Sequence, residues 1–385
     1  MGNFYSFKGR FGKVDTPLNK KLESVEWGEF RFSRLFKICT VKNKLTKFDL
    51  SVNGKTPVYS SESTNNGIIG YTNHKAEFII SDSNPIYVVF GDHTRSFNIA
   101  TKSFCVMDNV KVLTIKEIIS IKTLIFIVSS WKKCIPNKGY SRHWSLAKDI
   151  LFNLPTKNNK IDFEFMESFI TELEAEQISK LEVYLEASGL KNYILTNEEK
   201  QVLKDFENVN FEEFNIQDLF TKLNLRNNNK SFNKLDDTSL IRTDEFNLPL
   251  VNAKMGDNGI MFYGREKDFD SAEMTIDVIS NGAIATGTVY AQPHKIGVLW
   301  DAYLLRPKVI DVSREKLLYL SSALEKSIKT KFGWDNKAVW SKVQHEVISL
   351  PTHNQQPNYK IMETFISAIQ KLVIKDVVLY TDRKA

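Results

Sequence analysis

Cysteine is scarce: three in 385 residues, Cys39, Cys105 and Cys134, with no Cys-x-x-Cys pair. That argues against a disulfide framework and against a zinc site built on thiolates, and it fits a reducing compartment. Histidine is equally sparse. The six, His74, His93, His143, His294, His345 and His353, never reach metal-ligand spacing, so no metal site is expected. Long hydrophobic runs are missing as well. The longest, residues 123–130, is too short to span a bilayer, and the opening MGNFYSFKGRFGKV has no apolar core of signal-peptide length. A cytoplasmic protein without a membrane partner is expected. Met1-Gly2-Asn3 followed by Ser6 matches the start of a myristoylation signal, a pattern short enough to arise by coincidence.

Catalytic motifs are present only as fragments. Gly54-Lys55-Thr56 resembles the end of a phosphate-binding loop, but Asp49 stands where the first glycine is needed and Pro57 opposes the helix that should follow. Asn84-Pro85-Ile86-Tyr87 lacks the second proline of the box that grips a flipped adenine, and no glycine-rich loop offers a methyl-donor site. Glu198 and Lys200 have nuclease-like spacing without an upstream Pro-Asp, and there is no G-x-S-x-G elbow. No catalytic residue and no cofactor are assigned to this chain.

What is present is an ordinary globular composition, 42% hydrophobic and 25% charged, on a chain long enough for two domains. The net charge of +6 is compatible with a polyanionic partner. Above all, the sequence repeats. WSLAKDILFNLPTKNNKIDFEFMESFI at 144–170 and WSKVQHEVISLPTHNQQPNYKIMETFI at 340–366 align without a gap, pairing Trp144 with Trp340, Pro155 with Pro351 and Phe169 with Phe365 at one offset of 196. Upstream the match loosens: VEWGEFRFSRLF at 25–36 corresponds to VNFEEFNIQDLF at 209–220, and NNGIIGY at 65–71 to DNGIMFY at 257–263. Residues 90–107 have no recognisable twin in 279–300. One scaffold with two different surfaces is one reading, and an old duplication that has merely drifted is the other.

Short β-type runs are predicted at 79–80, 86–90 and 123–128 in the first copy and at 276–279, 283–290 and 297–305 in the second. Short helices are predicted around 29–36 and 313–329, giving an α+β unit in each half. Residues 163–187 carry Met166, Ile170, Leu173, Leu181 and further apolar residues at helical spacing, and a counterpart from 360 to about 375 carries Phe365, Ile369 and Leu372. The two stripes are expected to pair as an antiparallel coiled-coil-like spacer; the competing expectation is that each helix packs on its own unit. Candidate domains are 1–155 and 207–352, followed by helical regions at 156–206 and 353–385.

If the diverged segments read DNA, they need side chains that pair with base edges and cations that meet phosphate. The first copy offers Lys55, Asn65, Asn66, Tyr71, His74, His93 and Arg95, and the second Asn258, Tyr263, Arg265, Lys267, Asn281, Gln292, His294 and Lys295. A two-repeat protein-binding scaffold without DNA recognition is the alternative.

The repeat, the paired xFxxxxLF starts, the NNGIIGY and NGIMFYG segments, FGDHTR at 90–95 and LPT…DFEFMESFI together resemble the specificity subunits of type I restriction–modification systems, including the similar type IIB subunits. The resemblance implies two target-recognition domains that read a split site on double-stranded DNA. It further implies DNA adenine methyltransferase subunits docked on the helices, with S-adenosylmethionine on that partner, and restriction or translocase subunits in some systems. The segment 188–206 is an extra piece relative to that pattern.

Overall fold

In a computed structural model that describes residues 17–229 and 231–384, the chain divides at Lys180/Leu181 into two units. The first sixteen residues, on which the myristoylation and signal-peptide readings fell, lie outside the described residues.

The strands of the first unit are β1 (Glu26–Arg31), β2 (Phe36–Ile38), β3 (Lys44–Leu45), β4 (Thr56–Tyr59), β5 (Ile68–Thr72), β6 (Tyr87–Gly91), β7 (Phe97–Ala100), β8 (Cys105–Met107), β9 (Val110–Ile115), β10 (Leu151–Lys157) and β11 (Lys160–Ile161). They form sheets ordered β1-β10-β11, β2-β9-β6-β7 and β3-β8-β4-β5. The helices are α1 (Pro17–Ser24), α2 (Phe32–Leu35), α3 (Ile121–Cys134), α4 (Trp144–Ala147) and α5 (Phe163–Ala187), the last of which runs past the division at Lys180/Leu181. The core is aromatic. Trp131 of α3, fully buried, stacks on Phe32, Phe36 and Phe152, and its indole N–H donates to the Ala147 carbonyl at 2.9 Å. That bond satisfies the polar end of an otherwise apolar side chain.

The second unit contains β12 (Phe211–Asn215), β13 (Phe220–Lys222), β14 (Thr238–Ser239), β15 (Leu248–Val251), β16 (Ile260–Gly264), β17 (Thr275–Ile279), β18 (Val289–Gln292), β19 (Gly297–Val298), β20 (Ala302–Pro307), β21 (Val347–His353) and β22 (Gln356–Pro357). Its sheets are β12-β21-β22, β13-β20-β17-β18 and β14-β16-β15-β19. Its helices are α6 (Asn197–Asp205), α7 (Ile216–Leu219), α8 (Lys234–Asp237), α9 (Arg314–Ile328), α10 (Trp340–Val343) and α11 (Tyr359–Lys384).

The scaffold recurs almost strand for strand. Leu-Pro-Thr lies in β10 and in β21, with Leu154 and Leu350 buried and the prolines opposite Trp27 and Phe211. The third sheet differs only at its edge: β3 runs parallel beside β8 in the first unit, whereas β14 runs antiparallel beside β16 in the second. Residues 90–107 and 279–300, unrelated as text, are topological twins. Both contain the return strand of a hairpin, β6–β7 or β17–β18, and the turn is four residues longer in the second (280–288 against 92–96).

Several sequence expectations are corrected. Residues 123–128 lie inside α3, not in a strand: Ser120 caps the helix by accepting the Thr123 N–H, and Leu124, Ile127, Val128 and Trp131 share its buried face. Residues 29–31 belong to β1 and only four residues of 29–36 are helical, because Phe30 must alternate inward against β10. Residues 79–80 lie outside the strands, residues 283–288 form a hairpin connection ahead of β18, and the run at 297–305 is two strands, β19 and β20. Within 188–206 only α6 is an α-helix, and α11 continues nine residues beyond Lys375.

Candidate nucleic-acid interface

Each unit is organised around a hairpin, β4–β5 or β15–β16, in the same register: Pro57 faces Tyr71 and Pro249 faces Tyr263, and just beyond them the second strand bulges at Ile69 or Met261. The hairpin separates the candidate residues into two groups.

At the turn end, Asn65 and Asn66 adopt positive φ, as do Asp257 and Asn258, and each pair leads into a glycine with φ +76° or +74°. Only glycine serves there, since a Cβ on Gly67 would stand 2.2 Å from the Asn98 amide and one on Gly259 would stand 2.7 Å from the Asp277 carboxylate. The Asn66 amide donates to the Ile99 carbonyl at 2.8 Å and accepts its N–H at 3.2 Å, so it ties the turn to β7. In the second unit the Asn258 carbonyl accepts from Gln292 of β18 at 2.8 Å, and Asn281 donates to Asp301 at 2.8 Å.

His93 and Arg95 lie in the β6–β7 turn at this same end. The Arg95 guanidinium donates to the Ile135 carbonyl at 2.7 Å, and the His93 ring stacks on Tyr140 with centroids 4.6 Å apart and planes 5° from parallel. Fully buried His143 anchors the loop that carries Tyr140. Its Nε2 accepts the Lys138 N–H at 3.1 Å, which leaves Nδ1 to donate to the Asp92 carbonyl at 3.0 Å. Tyr140 was not among the sequence candidates; its signal is the basic, glycine-containing stretch PNKGYSR at 136–142.

At the open end of the hairpin the first unit gathers Lys55, Tyr71 and His74. Lys55 and Tyr71 are exposed, and His74 Nε2 lies 3.5 Å from Asp49. The second unit places Tyr263, Arg265, Lys267, His294 and Lys295 there. Arg265 is engaged within the protein, pairing with Glu245 at 2.7 Å, Asp237 at 2.8 Å and Asp268 at 3.3 Å while lying over the Phe246 ring. Lys295 pairs with Glu266 at 2.9 Å, whereas Lys267 and His294 are exposed.

The helical candidates divide differently. Met166 and Met362 are fully buried in the cores of their own units, and Ile170 packs against the first core. Phe365 stacks on Phe206 at 3.7 Å, Leu173, Leu181 and Ile369 are half-buried, and Leu372 is exposed. Among the described residues no group of three His, Cys, Asp or Glu side chains is placed to hold a metal ion, and no helix is long and apolar enough to cross a membrane.

The family model for the type I restriction modification DNA specificity domain matches the chain twice, over residues 24–183 and 208–379. Among solved structures, the S subunit of a type I restriction–modification system from M. genitalium is similar in fold, with a TM-score of 0.56 at 14% identity over 94% of this chain and 92% of that one. The HsdS subunit from Thermoanaerobacter tengcongensis aligns at 14% identity over 93% and 92% of the two chains with a TM-score of 0.29. No curated protein matches. Two copies of one domain model, following the two copies of the repeat and together covering most of the chain, show that this protein belongs to the type I restriction–modification DNA specificity family.

Proposed function

We propose that this chain is the sequence-reading subunit of a restriction–modification complex, each repeat unit recognising one half of a split site on double-stranded DNA. The observation that carries the reading is a scaffold repeated strand for strand whose edge strand and hairpin turn differ between copies, as two readers of different sequence require. Lys55 and Tyr71 in the first unit, and Tyr263, Lys267 and His294 in the second, are the proposed contacts, with His93 and Arg95 at the opposite end of the first unit. The chain itself does no chemistry in this proposal. DNA adenine methyltransferase subunits, which would hold S-adenosylmethionine, and restriction or translocase subunits dock on it. The apolar stripes repeated along α5 and α11 support a helical spacer that sets the distance between half-sites.

A gel-shift titration with duplex DNA, using the chain together with its methyltransferase partner, tests this. Sequence-preferring binding should weaken steeply with salt, log K falling by about 0.9 per phosphate contact for each unit of log salt. Absence of sequence preference, or binding indifferent to salt, would favour a protein scaffold instead.

A further inference from the structure

Phe48 is 98% exposed and Val52 fully so, on a strap between β3 and β4. A single exposed apolar residue needs no explanation. Two on a strap built this rigidly do. Thr46 donates to the Asp49 carboxylate through its backbone N–H at 2.7 Å and its hydroxyl at 2.8 Å, which closes the turn that carries Phe48. The Thr72 hydroxyl donates to the Asp49 carbonyl at 2.7 Å, and the Ser51 N–H donates to the Tyr71 carbonyl at 2.8 Å, binding the strap to β5. Gly54 lets it lie flat, since a Cβ there would come within 2.5 Å of the Thr72 nitrogen. The apolar tip is therefore held out on a fixed support beside Tyr71.

Its surroundings are cationic. Lys47, Lys55 and Lys75 are exposed and form no ion pair among the described residues, while the Asp49 carboxylate is occupied by Thr46 and His74. The second unit also exposes apolar residues ahead of its hairpin, on a strap that is held differently. Leu240 stands eight residues before the start of β15, as Phe48 stands before β4, and it is 77% exposed with Ile241 beside it at 56%. Its strap is bound at Ser239, paired with Tyr263, the counterpart of Tyr71.

A rigid apolar point among unpaired cations suits a polyanion with an apolar interior. We propose that Phe48 and Val52 form a wedge that enters double-stranded DNA and unstacks one base step beside the bases read by the first unit, with Leu240 and Ile241 as the wedge of the second. Apolar side chains of these types unstack and kink duplexes in this way. The proposal rests on the DNA-reading function above and adds the deformation of the target and the residues that cause it.

The test uses the full chain with its methyltransferase partner. The probe is the duplex that the wild-type complex recovers from a pool of randomised duplexes, resynthesised with 2-aminopurine at each adenine in turn except the adenine that the methyltransferase modifies, whose flipping would brighten it independently. Wild type should brighten 2-aminopurine at one step in each half-site. F48A should abolish the signal in one half and weaken binding about tenfold or more, F48L should retain both, and L240A should abolish the signal in the other half. Phe48 touches no core, so F48A folds. If wild type selects a sequence but brightens no step, or F48A leaves signal and affinity unchanged, the wedge is overturned and the DNA-reading function stands. If F48A weakens only the association with the methyltransferase, the tip docks protein and the wedge is likewise overturned. If wild type selects no sequence, the DNA-reading function itself falls and the wedge with it.

Discussion

Glu199 offers the sharpest test of how the extra segment of this chain is held. It is a buried carboxylate in α6, facing α11 of the same unit. Its Oε1 accepts from the Ser367 hydroxyl at 2.7 Å, and its Oε2 accepts from the Lys371 ammonium at 2.9 Å and from the Thr196 N–H at 2.7 Å. Burial alone would raise its pKa, but the bonds from Lys371, Ser367 and Thr196 outweigh it and hold the carboxyl below the ordinary range. Glu199→Gln keeps the capping box through its one oxygen, removes the charge and turns the other oxygen into an NH2 that must donate to the Ser367 hydroxyl, which should cost about 1–2 kcal/mol; Glu199→Ala also strands Lys371 and Ser367 and should cost about 2–3 kcal/mol. For a unit of this size the Ala variant lowers the melting midpoint by roughly 4–12 °C. Because the folded pKa lies below the unfolded one, the carboxylate's contribution is complete above the unfolded value of 4.5 and fades as pH falls through the folded value. The Gln variant should therefore converge on wild type in acid and diverge from it at neutral pH. Calorimetry across pH, with hydrogen exchange on α6 and α11, reads both effects. Equal stability of Gln and wild type at neutral pH, or a gap that widens in acid, would refute the reasoning.

Asp277, fully buried with both carboxylate oxygens unpaired, has its pKa pushed well up by burial. The folded unit keeps a proton that the unfolded chain releases, so stability falls as pH rises above the ordinary carboxylate range towards the raised folded pKa, and Asp277→Asn should gain on wild type over that rise in calorimetry. His143→Ala leaves the Lys138 N–H without its acceptor and removes the ring bond to the Asp92 carbonyl, which keeps the backbone N–H of residue 143; it should cost about 1–3 kcal/mol and open residues 136–142 to limited proteolysis. Trp131→Phe loses the bond to Ala147 and leaves a void among Phe36 and Phe152, lowering the urea midpoint of the first unit by an amount equivalent to about 2–3 kcal/mol.

The repeat was legible because it lies where packing is least forgiving. Leu154 and Leu350, Met166 and Met362 are all fully buried, so both copies keep the same side chains at the same spacing. The middle of each unit was not legible. Residues 123–128 are β-branched and apolar enough to suit a strand, and only the Ser120 cap and the spacing of Leu124, Ile127, Val128 and Trp131 mark them as α3. The twin hairpins β6–β7 and β17–β18 escaped because backbone ladders hold them whatever the side chains, and a longer turn shifts the alignment.

Among the candidate contacts, residue type and exposed loop position were visible in the sequence, but partners were not. Arg265 and Asn66 look as available as Lys267 until the fold brings Glu245, Asp237 and Asp268 to the one and the Ile99 backbone to the other. The strap pinned to β5 turns Phe48 outward. The sequence by itself determined that there are two copies of one α+β scaffold, since a core tolerates few side chains at each buried position and so preserves its pattern. The tertiary structure alone decided which polar side chains remain free to meet a partner, because that depends on neighbours brought together from distant parts of the chain.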